Sequence, residues 1–437
     1  MITVNSQFTE MIRNPARKKP TLPWPVILYL ACVVTPVRFM AGPLQMTGLR
    51  VFLLAMLPFV LIRMFRVKWI APDILLLLFV AWVFVAMQVN TPGQALEHAG
   101  ITLLEMFGGY ALARVYVQTH DQFKSLIKAV LLLVLLCMPL AISETLTGDP
   151  LVVQLIRAIP GITSVDVVTI APRLGLERVQ AIFAHPIHFG LFCSSAISLV
   201  YIGLSQNMPH PIRMVASVLI VGTTFLALSS GAFISVLIQL FLIVWALVFA
   251  QVRHKWVWLL VACVVCYIFV DLVSNRTPLR VFFSYATFSA HNAYWRGLIF
   301  EWGMHNVWAN PVFGLGFNDW VRPHFMNSGS MDNFWLVAAV RYGLPGFVLL
   351  TCAWVTGLIR VAKAPQSSLK TAWMFCMVGL TFTLCTVHVW TAVYSYVFFL
   401  FGAGQSLAVA APAAAKSVPQ KPAFRRPFQP EFTRAAL

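Results

Sequence analysis

Apolar runs of membrane-spanning length recur along the chain and leave few folds open to it. Each run has roughly 18 to 22 residues, enough to cross a hydrocarbon layer of ~30 Å as a helix. Every span is expected to be helical, because open strands would leave backbone groups unpaired in lipid. The sequence therefore predicts an all-α integral membrane protein. About 12 spans are expected, near residues 24–41, 48–64, 70–89, 97–116, 126–143, 184–204, 212–229, 231–250, 255–272, 332–359, 370–388 and 390–410.

The composition supports the same fold class. Hydrophobic residues make up 59% of the 437 residues, charged residues make up 10%, and the mean hydropathy is +0.81. These values lie far outside the range of soluble globular domains. The net charge of +17 does not require nucleic acid as a partner, because basic residues mark the inner loops of a membrane protein.

The lysines all fall on one side of the predicted membrane when the N-terminus is placed in the cytoplasm. Positive residues favour that side, so both termini are expected to be cytoplasmic. A single missed or added span would scramble this segregation. The inner lysines are Lys18, Lys19, Lys68, Lys124, Lys128, Lys255, Lys363, Lys370, Lys416 and Lys421.

Arginine alone carries the positive charge of the predicted outer side. Its planar guanidinium binds pairs of phosphate oxygens better than a lysine ammonium does. Capping of helix ends, or pairing with carboxylates such as Asp319 and Asp332, is the alternative explanation. The outer arginines are Arg38, Arg50, Arg157, Arg173, Arg178, Arg276, Arg280, Arg296, Arg322 and Arg341.

The chain is expected to form one membrane domain over residues 24–410. A basic cytoplasmic N-terminus occupies 1–23, and a disordered cytoplasmic tail rich in Ala and Pro occupies 411–437. Two long outer loops, at about 144–183 and about 273–331, are each expected to carry a short surface helix. The functional residues are expected on these two loops, where ionisable side chains collect.

The most informative stretch runs from Asn310 to Gly346. It begins with Asn-Pro-Val-Phe-Gly-Leu-Gly, continues through a polar segment to Asp332-Asn333-Phe-Trp-Leu, and ends in Gly-Leu-Pro-Gly. The glycines permit tight turns and the prolines stop a helix from running through. Charged groups at the mouth of the span that starts near Asp332 are costly unless they serve a ligand or a partner.

This order of motifs resembles the shared C-terminal region of the O-antigen ligases and polymerases, which are bacterial membrane glycosyltransferases acting on polyprenyl-diphosphate-linked sugars. The resemblance implies that Arg178 and Arg296 contact the lipid-linked diphosphate. Arg322 and Arg341 are weaker candidates for the same substrate contact. Relatives usually have His-Asn where this chain has Asp332-Asn333.

The resemblance makes Asp332 the candidate general base for the acceptor hydroxyl. A salt bridge to Arg341, or helix capping together with Asn333, is the alternative role of this carboxylate. His324 is the other side chain that could accept the proton. Asn333 and His324 are accordingly counted among the candidate substrate-binding residues.

Two histidines, His185 and His188, precede and open a predicted span. Their spacing invites a metal-site interpretation, but Pro186 lies between them and no Cys or acidic cluster adjoins them. Hydrogen bonding at the helix mouth and contact with sugar or phosphate are the other interpretations. Neither metal nor cofactor is expected. The intramembrane Glu105 could be a functional residue or a packing residue.

The hairpin at Ser229-Ser230-Gly231 departs from the pattern of the family. Many relatives carry Ser-Arg-Gly at this kind of outer hairpin, so one expected cation is missing here. Small residues at such a position are also common where helices pack closely.

The favoured function is a polysaccharide polymerase that joins undecaprenyl-diphosphate-type, lipid-linked repeat units at the periplasmic face of the inner membrane, in exopolysaccharide or O-antigen synthesis. A ligase that transfers glycan from the same donor to lipid A core or protein is the first alternative. A lipid-linked oligosaccharide flippase is the second, and it predicts internal repeats and charges at the midplane. Expected partners are the lipid-linked glycan, membrane lipid and other polysaccharide assembly proteins.

Overall fold

The computed structural model describes residues 21–42, 44–275, 277–278, 281 and 290–408. Most of the predicted N-terminal segment 1–23 and all of the predicted tail 411–437 lie outside the described residues, as do Arg276 and Arg280.

The described chain is mostly helical, as predicted. A π-helical turn at Leu103–Gly108 joins two of the helices, and a 3₁₀ turn at Gln405–Ala408 follows the last one. The helices are α1 Trp24–Val33, α2 Gly48–Met64, α3 Ala71–Asn90, α4 Pro92–Thr102, α5 Gly109–Tyr116, α6 His120–Thr147, α7 Leu151–Arg157, α8 Pro186–Ser194, α9 Ala196–Tyr201, α10 His210–Leu226, α11 Ser230–Val248, α12 Lys255–Val273, α13 Ala290–Ala309, α14 Phe334–Ala362, α15 Ser368–Leu384 and α16 Thr391–Gly404.

Five of these helices are long and apolar enough to cross a membrane: α3, α6, α11, α12 and α14. Four shorter apolar stretches, at α1, α8 with α9, α10 and α15, have 10–17 residues. The predicted count of about 12 spans is therefore not confirmed. Hydropathy alone merges a short helix with the apolar loop beside it, which lengthens the apparent span.

The first predicted span shows this error directly. The apolar run 24–41 is helical only as far as Val33, and Val37–Ala41 forms a strand. Pro36 explains the change, because it lacks an amide donor and disfavours the helical conformation of the residue before it.

A three-stranded antiparallel sheet corrects the all-α prediction. Its strands are β1 Val37–Ala41, β2 Leu44–Thr47 and β3 Thr163–Ser164, in the order β2-β1-β3. Arg38 pairs with Thr47 on one side and with Thr163 on the other. The sheet ties the first predicted outer loop, which also contains the predicted short helix α7, to the segment before α2.

Small residues and buried ion pairs hold the helices together. Helix α3 packs on α14, and α5 packs on α16, where a Cβ on Gly109 would clash with Ser395. Within this core, the carboxylate of Glu105 accepts a hydrogen bond at 2.8 Å from Arg50 Nε. Glu105 thus forms an ion pair with Arg50 inside the core. This contact agrees with a packing role, which was one of the two interpretations of this residue.

The stretch Asn310–Gly346 folds back on itself at a kink in α14. Gly343 has φ of +69° inside that helix, so the carbonyls of Val340 and Arg341 are released from the helical pattern. The Leu315 N–H donates to the first at 2.8 Å and the Gly316 N–H donates to the second at 3.0 Å. The glycine-rich turn and the kink therefore form one unit, which the sequence had predicted only as turns followed by an uninterrupted span.

The Gly343→Ala variant tests this unit. An added Cβ would clash with the carbonyl of Val312, and the left-handed backbone costs a non-glycine residue about 1–3 kcal/mol. We expect a clear fall in the melting temperature of the purified protein in detergent.

The matched control is Gly222→Ala in α10, where nothing lies within 4 Å of the added Cβ. This change should leave the melting temperature unchanged or raise it slightly, because alanine favours a helix over glycine. Equal melting temperatures for the two variants would contradict the kink.

Candidate functional site

One large cavity, of about 930 Å³, lies where the two predicted outer loops meet the ends of the helices. Its walls come from the segment before α8, the hairpin between α10 and α11, helix α13, the segment after it, and the connection between α15 and α16. The polar lining side chains are Arg173, Arg178, His185, Ser229, Ser230, Arg296, Asn318, Asp319, Ser328, Ser330, Asp332, Arg341 and His388.

The cavity brings together five of the predicted site residues. They are Arg178, His185, Arg296, Asp332 and Arg341, and they come from four separate segments of the chain. The two long outer segments, which the sequence predicted to flank the active site, therefore both contribute to one cavity.

Arg178 reaches the cavity from the segment before α8. Its Nε is buried and has no hydrogen-bond partner within the described structure. Burial, and then the neighbouring Arg173, lower the pKa of Arg178 to about 10, so the guanidinium stays charged at neutral pH. A buried cation with an unused donor favours an anion, because an unmatched buried donor is costly.

Glu144 fixes the backbone next to Arg178. Its two carboxylate oxygens accept hydrogen bonds at 2.8 Å each from the backbone N–H groups of Gln180 and Ala181. Ala181 has φ of +52°, an uncommon conformation for alanine. The strained turn and its carboxylate clamp therefore set the direction of Arg178.

Arg296 and Asp332 both line the cavity, and each affects the pKa of the other. Burial lowers the pKa of Arg296, and Asp332 opposes that shift. Burial also raises the pKa of Asp332, while Arg296 works in the other direction. Arg296 Nη1 is a buried donor without a partner in the described chain. The cation that stabilises the Asp332 carboxylate is thus Arg296, whereas the salt-bridge alternative had named Arg341.

Asn333 and Arg341 have local partners. The Asn333 side chain accepts from the Leu336 N–H at 3.0 Å and caps the start of α14. The guanidinium of Arg341 lies 5.3 Å from the centre of the Phe317 ring. Capping is therefore carried by Asn333, which leaves the neighbouring Asp332 side chain to the cavity.

Besides Asn333, three predicted site residues do not line the cavity. Arg322 pairs with Asp319 and donates to the Met326 carbonyl at 3.0 Å, and His324 is exposed. His188 is fully buried and lines a separate cavity of about 30 Å³. The structure thus offers no shared site for these three with Arg178 and Arg296.

His185 serves as a helix cap at the edge of the cavity. Its Nδ1 accepts from the Ile187 N–H at 3.1 Å, so the ring proton lies on Nε2. Burial and the two arginines Arg178 and Arg173 lower the pKa of His185 to about 4. The ring is therefore neutral at pH 7, and hydrogen bonding at the helix mouth is one of its roles.

Sequence reasoning missed Arg173, His388 and Trp390 as site residues. Arg173 donates to the Leu228 carbonyl at 2.7 Å, which places a cation beside the hairpin Ser229-Ser230 where the sequence lacks one. The sequence feature that could have indicated His388 and Trp390 is the polar interruption Cys-Thr-Val-His-Val-Trp. The hydropathy pattern had assigned its residues to two separate spans.

Strained backbone surrounds the cavity. Leu174, Leu228 and Thr391 all have positive φ, at +55°, +44° and +53°, and each is adjacent to a lining residue. Such conformations persist only where the surrounding structure enforces them, and they concentrate at functional sites. Among the described residues, no group of three or more His, Cys, Asp or Glu side chains is placed to hold a metal ion.

Comparison with known families agrees with the motif order. Residues 215–351 match the family described as O-antigen ligase, which is about a third of the chain, and this confirms the resemblance predicted from Asn310–Gly346. The matched segment contains Arg296, Asp332 and Arg341, whereas Arg178 lies outside it. No curated protein matches the chain.

Replacing Glu144 with Gln tests the clamp on the Arg178 segment. The amide keeps one acceptor but puts an NH₂ group against a backbone N–H, which costs about 1–3 kcal/mol. We expect faster proteolysis between Asp166 and Phe183 in the purified protein. The control is Glu177→Gln, an exposed neighbour, which should be cut at the wild-type rate, and equal cutting of both variants would count against the clamp.

Proposed function

From the O-antigen ligase match of residues 215–351 and the arginine-lined cavity, we propose that this integral membrane protein is a polysaccharide polymerase. It joins polyprenyl-diphosphate-linked repeat units at the periplasmic face of the inner membrane, with both termini in the cytoplasm. This orientation is the one in which all lysines of the predicted topology of about 12 spans fall on the cytoplasmic side.

The observation that carries the proposal is the excess of cations in the cavity. Four arginines, Arg173, Arg178, Arg296 and Arg341, line it. The two acidic lining residues are Asp332 and Asp319, and the second is already paired with Arg322. An anion with several oxygens, such as a diphosphate, fits this charge, because guanidinium groups bind such oxygens two at a time.

The reaction needs a leaving group, a nucleophile and a proton acceptor. The hydroxyl of the acceptor sugar attacks the anomeric carbon of the donor, the bond to the diphosphate breaks, and Asp332 takes the hydroxyl proton. Arg178 and Arg296 stabilise the charge that grows on the departing diphosphate, and fixed cations in a partly dried cavity do this better than water does. In this scheme the arginines do the work without a metal ion.

The ligase alternative uses the same donor and differs only in its acceptor, lipid A core or protein. Transport of the lipid-linked glycan is the alternative of another class. It is less consistent with this structure, because the bundle charges Glu105 and Asp73 are paired with Arg50 and Arg114. The buried N–H groups that lack a partner in the described structure at Arg178 and Arg296 lie at the cavity, away from these paired charges.

The first test removes the two central cations. Arg178→Ala and Arg296→Ala should each lower polymer formation by at least about 100-fold, the usual effect of removing one group that stabilises a developing negative charge. The measurement is the glycan ladder on gels, together with analysis of lipid-linked intermediates. Single repeat units should accumulate on the periplasmic side.

The control is Arg157→Ala, an outer arginine whose side chain is 41% exposed and lies beside Asp166. It should give a normal ladder at the same protein level. Accumulation of intermediates on the cytoplasmic side in the arginine variants would favour transport, and normal polymer in both would refute the proposed site.

A pH profile tests Asp332 as the base. Because burial raises the pKa of Asp332, polymerisation in purified membranes should fall as the pH drops through that raised value, where the carboxylate becomes protonated. Asp332→Asn should be inactive at every pH. Asp332→His should retain activity, with the inflection moved towards about 6.5. An Asp332→Asn variant with the wild-type profile would exclude Asp332 as the base.

A further inference from the structure

Trp390 is a partly exposed aromatic side chain of the cavity lining. It is 38% exposed and lies in the connection between α15 and α16. Two other aromatic rings of the lining have cations over them, since the guanidinium of Arg341 lies over Phe317 and that of Arg322 lies over Trp320 at 5.5 Å. The indole of Trp390 therefore offers an apolar face inside an otherwise cationic cavity.

Three imidazole rings lie around this indole, and the fully buried His188 packs against it with its ring centre 4.0 Å from that of Trp390. The ring centres of His185 and His388 each lie 6.0 Å from that of Trp390. His185 presents Nε2–H, because its Nδ1 is occupied by the Ile187 N–H. His388 has a buried Nδ1 with no partner in the described part of the chain. The pair thus brings hydrogen-bonding capacity to the border of the indole.

The imidazoles of His185 and His388 are both neutral at physiological pH. Burial, followed by the nearby Arg341, lowers the pKa of His388 to about 3, and the pKa of His185 is lowered to about 4. Neutral rings hydrogen-bond hydroxyl groups well but attract phosphate weakly. This border of the cavity is therefore chemically distinct from the part lined by charged guanidinium groups.

The backbone holds Trp390 in place on both sides. Thr391, the next residue, has φ of +53°, which is an uncommon conformation for a β-branched side chain. Three residues earlier, the Val387 carbonyl accepts a hydrogen bond at 3.0 Å from the Phe334 N–H at the start of α14. The indole is thus fixed relative to Asp332, two residues before Phe334.

We propose that Trp390, His185 and His388 form a sugar-binding subsite beside the arginines. The apolar C–H face of one pyranose ring lies on the indole, and the imidazoles hydrogen-bond its hydroxyls. This inference rests on the proposed function, because it assigns the sugar of the same lipid-linked substrate to a separate part of the same cavity.

The experiment compares two probes on the purified full-length protein in nanodiscs. One is undecaprenyl diphosphate without sugar. The other is the producing strain's own lipid-linked repeat unit, extracted from cells that lack the enzyme. Trp390→Leu should weaken binding of the sugar-bearing lipid about tenfold, in line with the loss of a stacked aromatic contact, and leave binding of the bare diphosphate unchanged.

Three further variants complete the test. Trp390→Phe should retain most of the affinity, because it keeps a ring. Trp308→Leu replaces a tryptophan that is 66% exposed and outside the cavity, and should bind both probes like the wild type. Arg178→Ala should weaken both probes. Melting temperatures of all variants check that each is folded.

The outcomes separate the two proposals. Equal weakening of both probes by Trp390→Leu, or of neither, overturns the sugar subsite while leaving the arginine site in place. Absence of wild-type binding to bare undecaprenyl diphosphate, or wild-type affinity in Arg178→Ala, overturns the proposed function and the subsite with it.

Discussion

The backbone interlock at the kink in α14 is the constraint on which the rest of the site depends. Gly343 breaks the helix, and the released carbonyls of Val340 and Arg341 accept the N–H groups of Leu315 and Gly316. These bonds satisfy polar groups that would otherwise be buried without partners. They also join the end of the second predicted outer loop to the helix that follows it. The Arg341 side chain and the segment before Asp332 are positioned by the same junction.

These backbone hydrogen bonds make the site rigid. A rigid site can hold arginine side chains whose charge the described residues do not neutralise. In the helical core, the buried charge of Arg50 has a protein partner in Glu105. In the large cavity, Arg178 and Arg296 keep buried donors without partners among the described residues, and Asp332 opposes only part of the charge. Leaving a buried cation unmatched is costly, and a rigid surrounding structure is needed to maintain it. An anionic substrate would supply the missing partner, which explains why the strain and the clamps concentrate here.

The sequence predicted the shared position of Arg178, Arg296 and Asp332 because each lies next to a motif with a fixed place in the order of the family. The sequence could not predict which arginines would form ion pairs with neighbouring carboxylates. Arg322 forms such an ion pair with Asp319, three residues before it. Hydropathy likewise could not end the first span at Val33, since the strand that follows is equally apolar. The pairing of that strand with the distant residues 163–164 left no signal in a single sequence.

The cavity is lined both by the segment that matches the O-antigen ligase family and by segments outside that match. The segment 215–351 that matches the O-antigen ligase family supplies Arg296 and Asp332, which both line the cavity. The residues that border Trp390 come from segments before and after it, and His185 and His388 both lie there. In the proposed mechanism, the matched segment thus contains Asp332, which takes the proton, and Arg296, one of the two arginines that stabilise the diphosphate. The border formed by Trp390, His185 and His388 lies outside the matched segment, so a change in the proposed sugar-binding surface would leave Arg296 and Asp332 unaltered.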